Sequence, residues 1–228
     1  MHDLTDDIDG DYQLPLSLTQ LRFFDQDECP TSAFVDNLLA KLPPNVRYLS
    51  LPYDIFLSDN TPFVMPDSLV DLEYETGYDN IAKLVLPTDR QYRNYNLTLG
   101  SVEQLQTLKD QTWIVNILLK GIPQALSGQF IPSHIRVLEI QFPSDQQIYP
   151  LEKGQLPDGL EELYMSSYNQ PIKSNVLPTE LRVLMLGGFN QDIKEGTLPP
   201  QLKSLFVSYD TKCLDQFNIG LLPNSLST

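Results

Sequence analysis

Apolar residues recur along this chain at fixed spacings, and a proline stands at the start of nearly every interval. Eight prolines follow an apolar residue in the same context: Pro15, Pro43, Pro66, Pro132, Pro157, Pro178, Pro199 and Pro223. Three residues later come Leu18, Val46, Leu69, Ile135, Leu160, Leu181, Leu202 and Leu226. Six later come Leu21, Leu49, Leu72, Leu138, Leu163, Leu184 and Leu205, and eight later Phe23, Leu51, Tyr74, Ile140, Met165, Leu186 and Val207. All 22 of these positions are apolar or aromatic in a chain that is 41% hydrophobic. The last two positions of each set are two apart, so they share one face of an extended strand. Proline fixes its own φ and pushes the preceding residue toward extended backbone. The pattern L-P-x-x-L-x-x-L-x-L therefore predicts a turn feeding a short strand with one buried face.

The interval from Pro66 to Pro132 spans about three such units. Within it YNLTL offers Leu97 and Leu99, and IVNILL offers Ile114, Ile117 and Leu119. Ile114 lies 21 residues before Ile135 and keeps the register without its proline. Ten strand starts, spaced 20 to 28 residues apart, run from Leu18 to Leu226. A unit this short cannot bury its own apolar row, but stacked units bury it together. The expected fold is an α/β repeat solenoid, leucine-rich-repeat-like, with a parallel β-sheet on the concave face. Turns and a few short helices would line the convex face. Two helices interrupt the pattern. Residues 31–42 place Phe34, Leu38 and Leu42 on one face behind a Thr31 or Ser32 cap. Residues 101–110 place Val102, Leu105 and Leu108 likewise, behind Ser101. The expected organisation is an acidic leader or cap over 1–13 and a single solenoid of about ten repeats over 14–228. That array would be irregular over 14–130 and regular over 131–228. The last unit, LPNSLST, stops soon after it starts, so a cap from 213–228, a partner or further chain is expected to cover it.

Two consecutive stretches nearly repeat one another: YNQPIKSNVLPTELRVLMLGG (168–188) and FNQDIKEGTLPPQLKSLFVSY (189–209). With Tyr168, Asn169 and Ile172 in one and Phe189, Asn190 and Ile193 in the next, they resemble the FNIP repeat. This variant of the leucine-rich repeat is found in social amoebae and in giant viruses that infect amoebae. Weaker copies are YDNIAKLVLP (78–87), with Tyr78, Asp79 and Ile81, and QFNIGLLP (216–223), with Phe217, Asn218 and Ile219. The match is specific over about 155–223. The aromatic and the isoleucine are expected to fill the core behind the sheet, and Asn169 and Asn190 to form a structural ladder bonding successive turns. Many proteins of the family carry an F-box ahead of the repeats and act as ubiquitin-ligase adaptors. Here the repeats begin at Leu14, and that part of the resemblance is not carried over.

Charge narrows the choice of partners. Thirty acidic against fifteen basic residues give a formal charge of −15. Nucleic acid requires a basic footprint, and anionic membranes repel an acidic surface, so neither is an expected partner. No apolar run is long enough for a membrane-spanning helix. The acidic start lacks the basic and apolar regions of a secretion signal. With only Cys29 and Cys213, a disulfide framework is not expected. These features point to the cytoplasm, or the host cytoplasm for a viral protein, and not to secretion.

Candidate chemistry is sparse. His2 and His134 have no partner in a metal-ligand or nucleophile spacing, and no glycine-rich phosphate loop is present. The leader is similar to a calcium loop at Asp7, Asp9 and Gly10, but Thr5 and Leu16 stand where ligands belong. Glu161 and Glu162 point to opposite faces. Asn96-Leu97-Thr98 fits a glycosylation sequon but falls in a strand. No catalytic residue, metal, cofactor or small-molecule substrate is expected, and the chain reads as a non-enzyme.

What remains is the face of the sheet that points away from the core. In strand order it carries Arg22, Ser50, Glu73, Thr98, Leu118, Glu139, Tyr164, Met185 and Phe206. Two residues earlier it carries Gln20, Tyr48, Asp71, Asn96, Asn116, Val137, Glu162, Val183 and Ser204. Asp71, Glu73 and Glu75 form an acidic patch, and Tyr164, Met185, Phe206 and Val183 an apolar stripe. Exposed apolar residues on adjacent strands mark interaction sites. The stripe is read as holding a protein partner, the acids as selecting a basic surface. The alternatives are that a second copy or a terminal segment of the chain itself covers the stripe, or that the register slips and these side chains are buried.

Overall fold

A computed structural model describes residues 13–23, 30–52, 55, 57, 62–126, 128, 130–143, 147–208 and 222–226. Its strands are β1 (Gln20–Arg22), β2 (Tyr48–Ser50), β3 (Phe63–Val64), β4 (Asp71–Gly77), β5 (Leu84–Val85), β6 (Tyr92–Leu99), β7 (Ile114–Lys120), β8 (Val137–Gln141), β9 (Glu162–Ser166), β10 (Val183–Leu186) and β11 (Ser204–Val207). Two α-helices, α1 (Ser32–Ala40) and α2 (Val102–Thr107), and three short 3₁₀ segments accompany them. Nine strands form one sheet in the order β1-β2-β4-β6-β7-β8-β9-β10-β11, while β3 and β5 pair separately. This is a leucine-rich-repeat-like parallel sheet with few helices.

The turn predicted from the prolines is made at every one of them. In each case the N–H three residues on donates to the proline carbonyl, from Leu18 to Pro15 through Leu226 to Pro223, at 2.9–3.3 Å. Ile114 makes the same bond, at 3.0 Å, to Gln111, which stands where the missing proline would be. The proline therefore pre-sets a turn that the stacking itself also enforces. Nine strands rather than ten follow from these starts. Among the described residues, Pro223–Leu226 makes only the turn.

The protein comprises two compact units, Met1–Asn96 and Leu97–Thr228. In the first, β1, β2 and β4 are parallel, with Leu21, Leu49 and Leu72 aligned across them. Leu49 and Leu72 are fully buried, and Tyr74 packs edge-on to Tyr95 beneath the strands. In the second, β7 to β11 are parallel. Two rows run across it, buried from β7 to β10 and half-buried on β11: Ile117, Leu138, Leu163, Leu184 and Leu205, then Leu119, Ile140, Met165, Leu186 and Val207. Each fully buried leucine contributes about 1.5–3 kcal/mol relative to exposure, so these rows hold the stack together.

The helices sit where expected, with one change of face. Thr31 caps α1 by accepting from the Phe34 N–H, and Ser101 caps α2 by accepting from Gln104. In α1 the buried residues are Val35, Leu38 and Leu39, so of the expected Phe34, Leu38 and Leu42 only Leu38 is buried. The helix ends at Ala40, so Leu42 lies beyond it, and Phe34 is half-buried and edge-on to Phe23.

Candidate functional site

The pleat determines which side chains can meet a partner. In a parallel sheet, residues aligned across strands share a face. The first unit aligns Gln20, Tyr48 and Asp71 in one row and Arg22, Ser50 and Glu73 in the next. Arg22, Tyr48 and Glu73 are linked to one another. The Arg22 guanidinium lies 4.2 Å from the centre of the Tyr48 ring, and the Tyr48 hydroxyl donates to Glu73. That bond, with burial second, raises the Tyr48 phenol above its ordinary pKa. Asn94 donates its amide to both oxygens of Asp71, at 3.0 and 3.2 Å. Glu75 lies on the same β4 face, half-buried. The three acids thus lie in one line, but Asp71 and Glu73 are each already held by a neutral donor.

The second unit carries a different face. One row aligns Leu118, Glu139, Tyr164, Met185 and Phe206, and the row beside it Asn116, Val137, Glu162, Val183 and Ser204. Met185 is 43% exposed and Phe206 56%. Val183 is half-buried between the strands on either side. Tyr164 is also half-buried, and its hydroxyl donates to Glu162 at 2.6 Å. Burial first, then that bond and the charge of Glu162, push its phenol up to about 12. Gln141 donates to Glu139 at 3.1 Å. Acidic side chains on β8 and β9 therefore give way to apolar ones on β10 and β11.

Two residues expected to be exposed on this face are not. Ser50 and Leu118 are each only 7% exposed. The pleat directs them outward, but the register sets Ser50 between Arg22 and Glu73, and Leu118 beside Glu139. These longer neighbours shield them.

Behind the strands, Tyr168, Ile172, Phe189 and Ile193 are buried. The Tyr168 hydroxyl accepts from the Leu151 N–H at 3.0 Å. Asn169 accepts from the Asn190 N–H at 2.8 Å and from Gln191 at 3.1 Å, so its side chain joins one turn to the next. The segment 78–87 differs from this arrangement. Residues Tyr78–Lys83 form a 3₁₀ turn in which Asn80, not Tyr78 or Ile81, is buried. Asn80 donates to Ile55 O, to Tyr74 and to Thr76, joining a network in which the Tyr74 hydroxyl also donates to Ile55 O at 2.8 Å. Phe217, Asn218 and Ile219 of the copy at 216–223, His2, Cys29, Cys213, and Thr5, Asp7, Asp9 and Gly10 of the calcium-like leader lie outside the described residues.

Sequence reasoning missed three features. The residue two after a proline often ties its turn to the preceding one: Asn45 to Leu16 O, Ser68 to Pro44 O and Val46 O, and Ser225 to Leu202 O. Polar residues recurring at that offset were the available signal. Left-handed backbone recurs at Gly154, Asn175 and Gly196, each 21 residues apart, and again at Ser167 and Gly188. On the small sheet, Val64 and Val85 stand side by side and largely exposed.

For chemistry the described residues offer little. They hold no group of three side chains able to bind a metal ion. His134 is half-buried, and burial followed by the charge of Arg136 lowers its pKa. An open recess lined by Pro123, Phe142 and Tyr149 also contains Glu152, which is paired with Lys173 at 2.7 Å. Among the described residues no helix is long and apolar enough to cross a membrane.

Comparison with known proteins accords with this geometry. Residues 149–188 and 189–228 match the FNIP repeat family, whereas 78–87 lies outside the matched residues. The fold is similar to the crystal structure of CroV588, a circular LRR protein from a giant virus, with a TM-score of 0.50 and 21% identity. That likeness covers 93% of this chain and 33% of the other, so this chain spans about a third of its neighbour's length. No curated protein matches it in sequence.

Proposed function

With residues 149–228 carrying FNIP repeats on a leucine-rich-repeat-like sheet, we propose that this protein is a non-catalytic scaffold that binds another protein. The contact would be the outward sheet face of the second unit. Repeat proteins of this kind commonly mediate protein interactions. The observation that carries the reading is the exposure of Met185 and Phe206 side by side on β10 and β11. Side chains of these types are enriched at interface cores, and leaving both in water has no structural benefit. Val183 and Tyr164 flank them and complete the site. On the first unit, taken by itself, Asp71, Glu73 and Glu75 would favour a basic surface. The low cysteine count supports a reducing, cytoplasmic setting.

A pull-down from amoebal lysate with wild type and with Met185→Asp/Phe206→Asp tests the reading. The proposal expects a protein retained only by wild type, with both chains folded by circular dichroism. Equal retention by both would remove it. Tyr164 is left intact because its bond to Glu162 makes it part of the sheet.

A second reading uses the same face for a homo-oligomer, since Phe206 lies on β11, the last strand in sheet order. It expects a mass that rises with concentration for wild type and not for the double variant. A strict monomer at high concentration would exclude it.

A further inference from the structure

We infer that the stripe recognises a protein segment pairing a basic side chain with an apolar one about 14 Å away, with Glu139 and Glu162 receiving the base. The inference rests on the proposed scaffold role and names the chemistry of its partner. Its basis is the order of side chains across one face. Glu139 and Tyr164 stand in register with Met185 and Phe206, and Glu162 with Val183. The acids that adjoin the apolar stripe are therefore Glu139 and Glu162, not those at 71–75.

The hydrogen-bond partners of Glu139 and Glu162, Gln141 and Tyr164, are neutral donors that orient the oxygens without cancelling the charge. The other outward side chains of β10 and β11, Val183 and Ser204, carry no charge. A cation is thus drawn toward β8 and β9 rather than over β10 and β11, which fixes the direction in which a segment lies.

Spacing sets the motif. From Glu139 on β8 to Phe206 on β11 there are three strand steps, about 14 Å at roughly 4.8 Å each. An extended segment crossing the strands covers about that distance in four residues and presents residues i and i+4 on one side. Lys or Arg at one position and an aromatic or aliphatic residue four away would meet both halves of the stripe.

Self-pairing fits these charges poorly. In a two-fold dimer the face meets itself, so Glu139 and Glu162 of one copy oppose either the same acids or the apolar side chains of Met185 and Phe206. The first arrangement repels, and the second desolvates a carboxylate without a partner. A foreign basic segment avoids both.

The test is a selection from a random nine-residue peptide library displayed on phage, using the full chain as wild type, as Glu139→Gln/Glu162→Gln and as Met185→Asp/Phe206→Asp. Wild type should enrich peptides with a basic residue four positions from an apolar one. The glutamine variant should keep the apolar preference, lose the basic one, and bind the selected peptides roughly three- to tenfold more weakly. The aspartate variant should enrich neither. Selected peptides that need Met185 and Phe206 but show no basic preference, or one that survives the glutamine changes, would overturn this inference and leave the scaffold reading standing. Enrichment indifferent to the aspartate changes, or none at all, would overturn both. So would a wild-type dimer that the aspartate changes dissolve.

Discussion

The two units build their outward faces from the same pleat and use them differently. In the first, Arg22 covers Tyr48, Tyr48 bonds Glu73, and Asn94 holds Asp71, so neighbouring strands satisfy each other. In the second, the side chains on β10 and β11 find no such partners, and Met185 and Phe206 stay in water. Strand direction decides which residues point out. Chemistry between neighbours decides whether they are free to meet anything else. A face of complementary polar groups stabilises its own sheet, whereas an apolar row can gain more by meeting a partner than by remaining bare.

The sharpest way to break this contrast is to compare the two sides of one strand. Leu184→Ala, on the buried side of β10, should cost about 3 kcal/mol in chemical denaturation. Met185→Asp, one residue along, should cost no more than about 0.5 kcal/mol. Similar losses from both would mean that Met185 is part of the core. Next in size is the polar network of the first face. A double-mutant cycle between Tyr48→Phe and Glu73→Gln should show a coupling of about 1 kcal/mol, discounted for partial exposure. A coupling near zero would leave that face as open as the other.

Backbone strain gives a third comparison, between two successive repeats. Gly188 and Ser167 occupy equivalent left-handed positions. Gly188→Ala should destabilise, and Ser167→Gly should stabilise, each by about 1 kcal/mol, read from thermal melts. The smallest effect concerns pH. Burial lowers the pKa of His134, so the folded state favours the neutral ring. Its contribution is complete above the unfolded value of about 6.5 and is lost as pH falls through the lower folded value. His134→Gln should therefore flatten the stability profile on the acid side of pH 6.5 and leave it unchanged at pH 8.

Much of the fold was legible because one physical rule repeats. Each L-P-x-x-L makes the same turn, and the row from Leu138 to Leu184 is buried as the spacing requires. The outward rows were legible for the same reason, since parity alone assigns Met185 and Phe206 to one face. Parity does not report length. It could not show that Leu118 and Ser50 would be shielded by longer neighbours. Nor could resemblance replace packing at 78–87, where Asn80 rather than the aromatic fills the interior. The left-handed residue at Asn175 was hidden because a tolerated asparagine looks like any polar residue, whereas Gly154 and Gly196 advertise the requirement.

The regular part of the second unit also has a genetic consequence. From Pro157 to Pro199 the turns recur every 21 residues, and each side-chain link between turns reaches only to the next. Removing or duplicating one whole period leaves every surviving neighbour with an equivalent neighbour. A single-residue deletion within β10 is the more damaging change, because it sends its buried leucines to water and its outward side chains into the core. Such a gene can gain or lose a whole repeat more safely than one codon, and whole-period duplication is a ready route to a longer binding face.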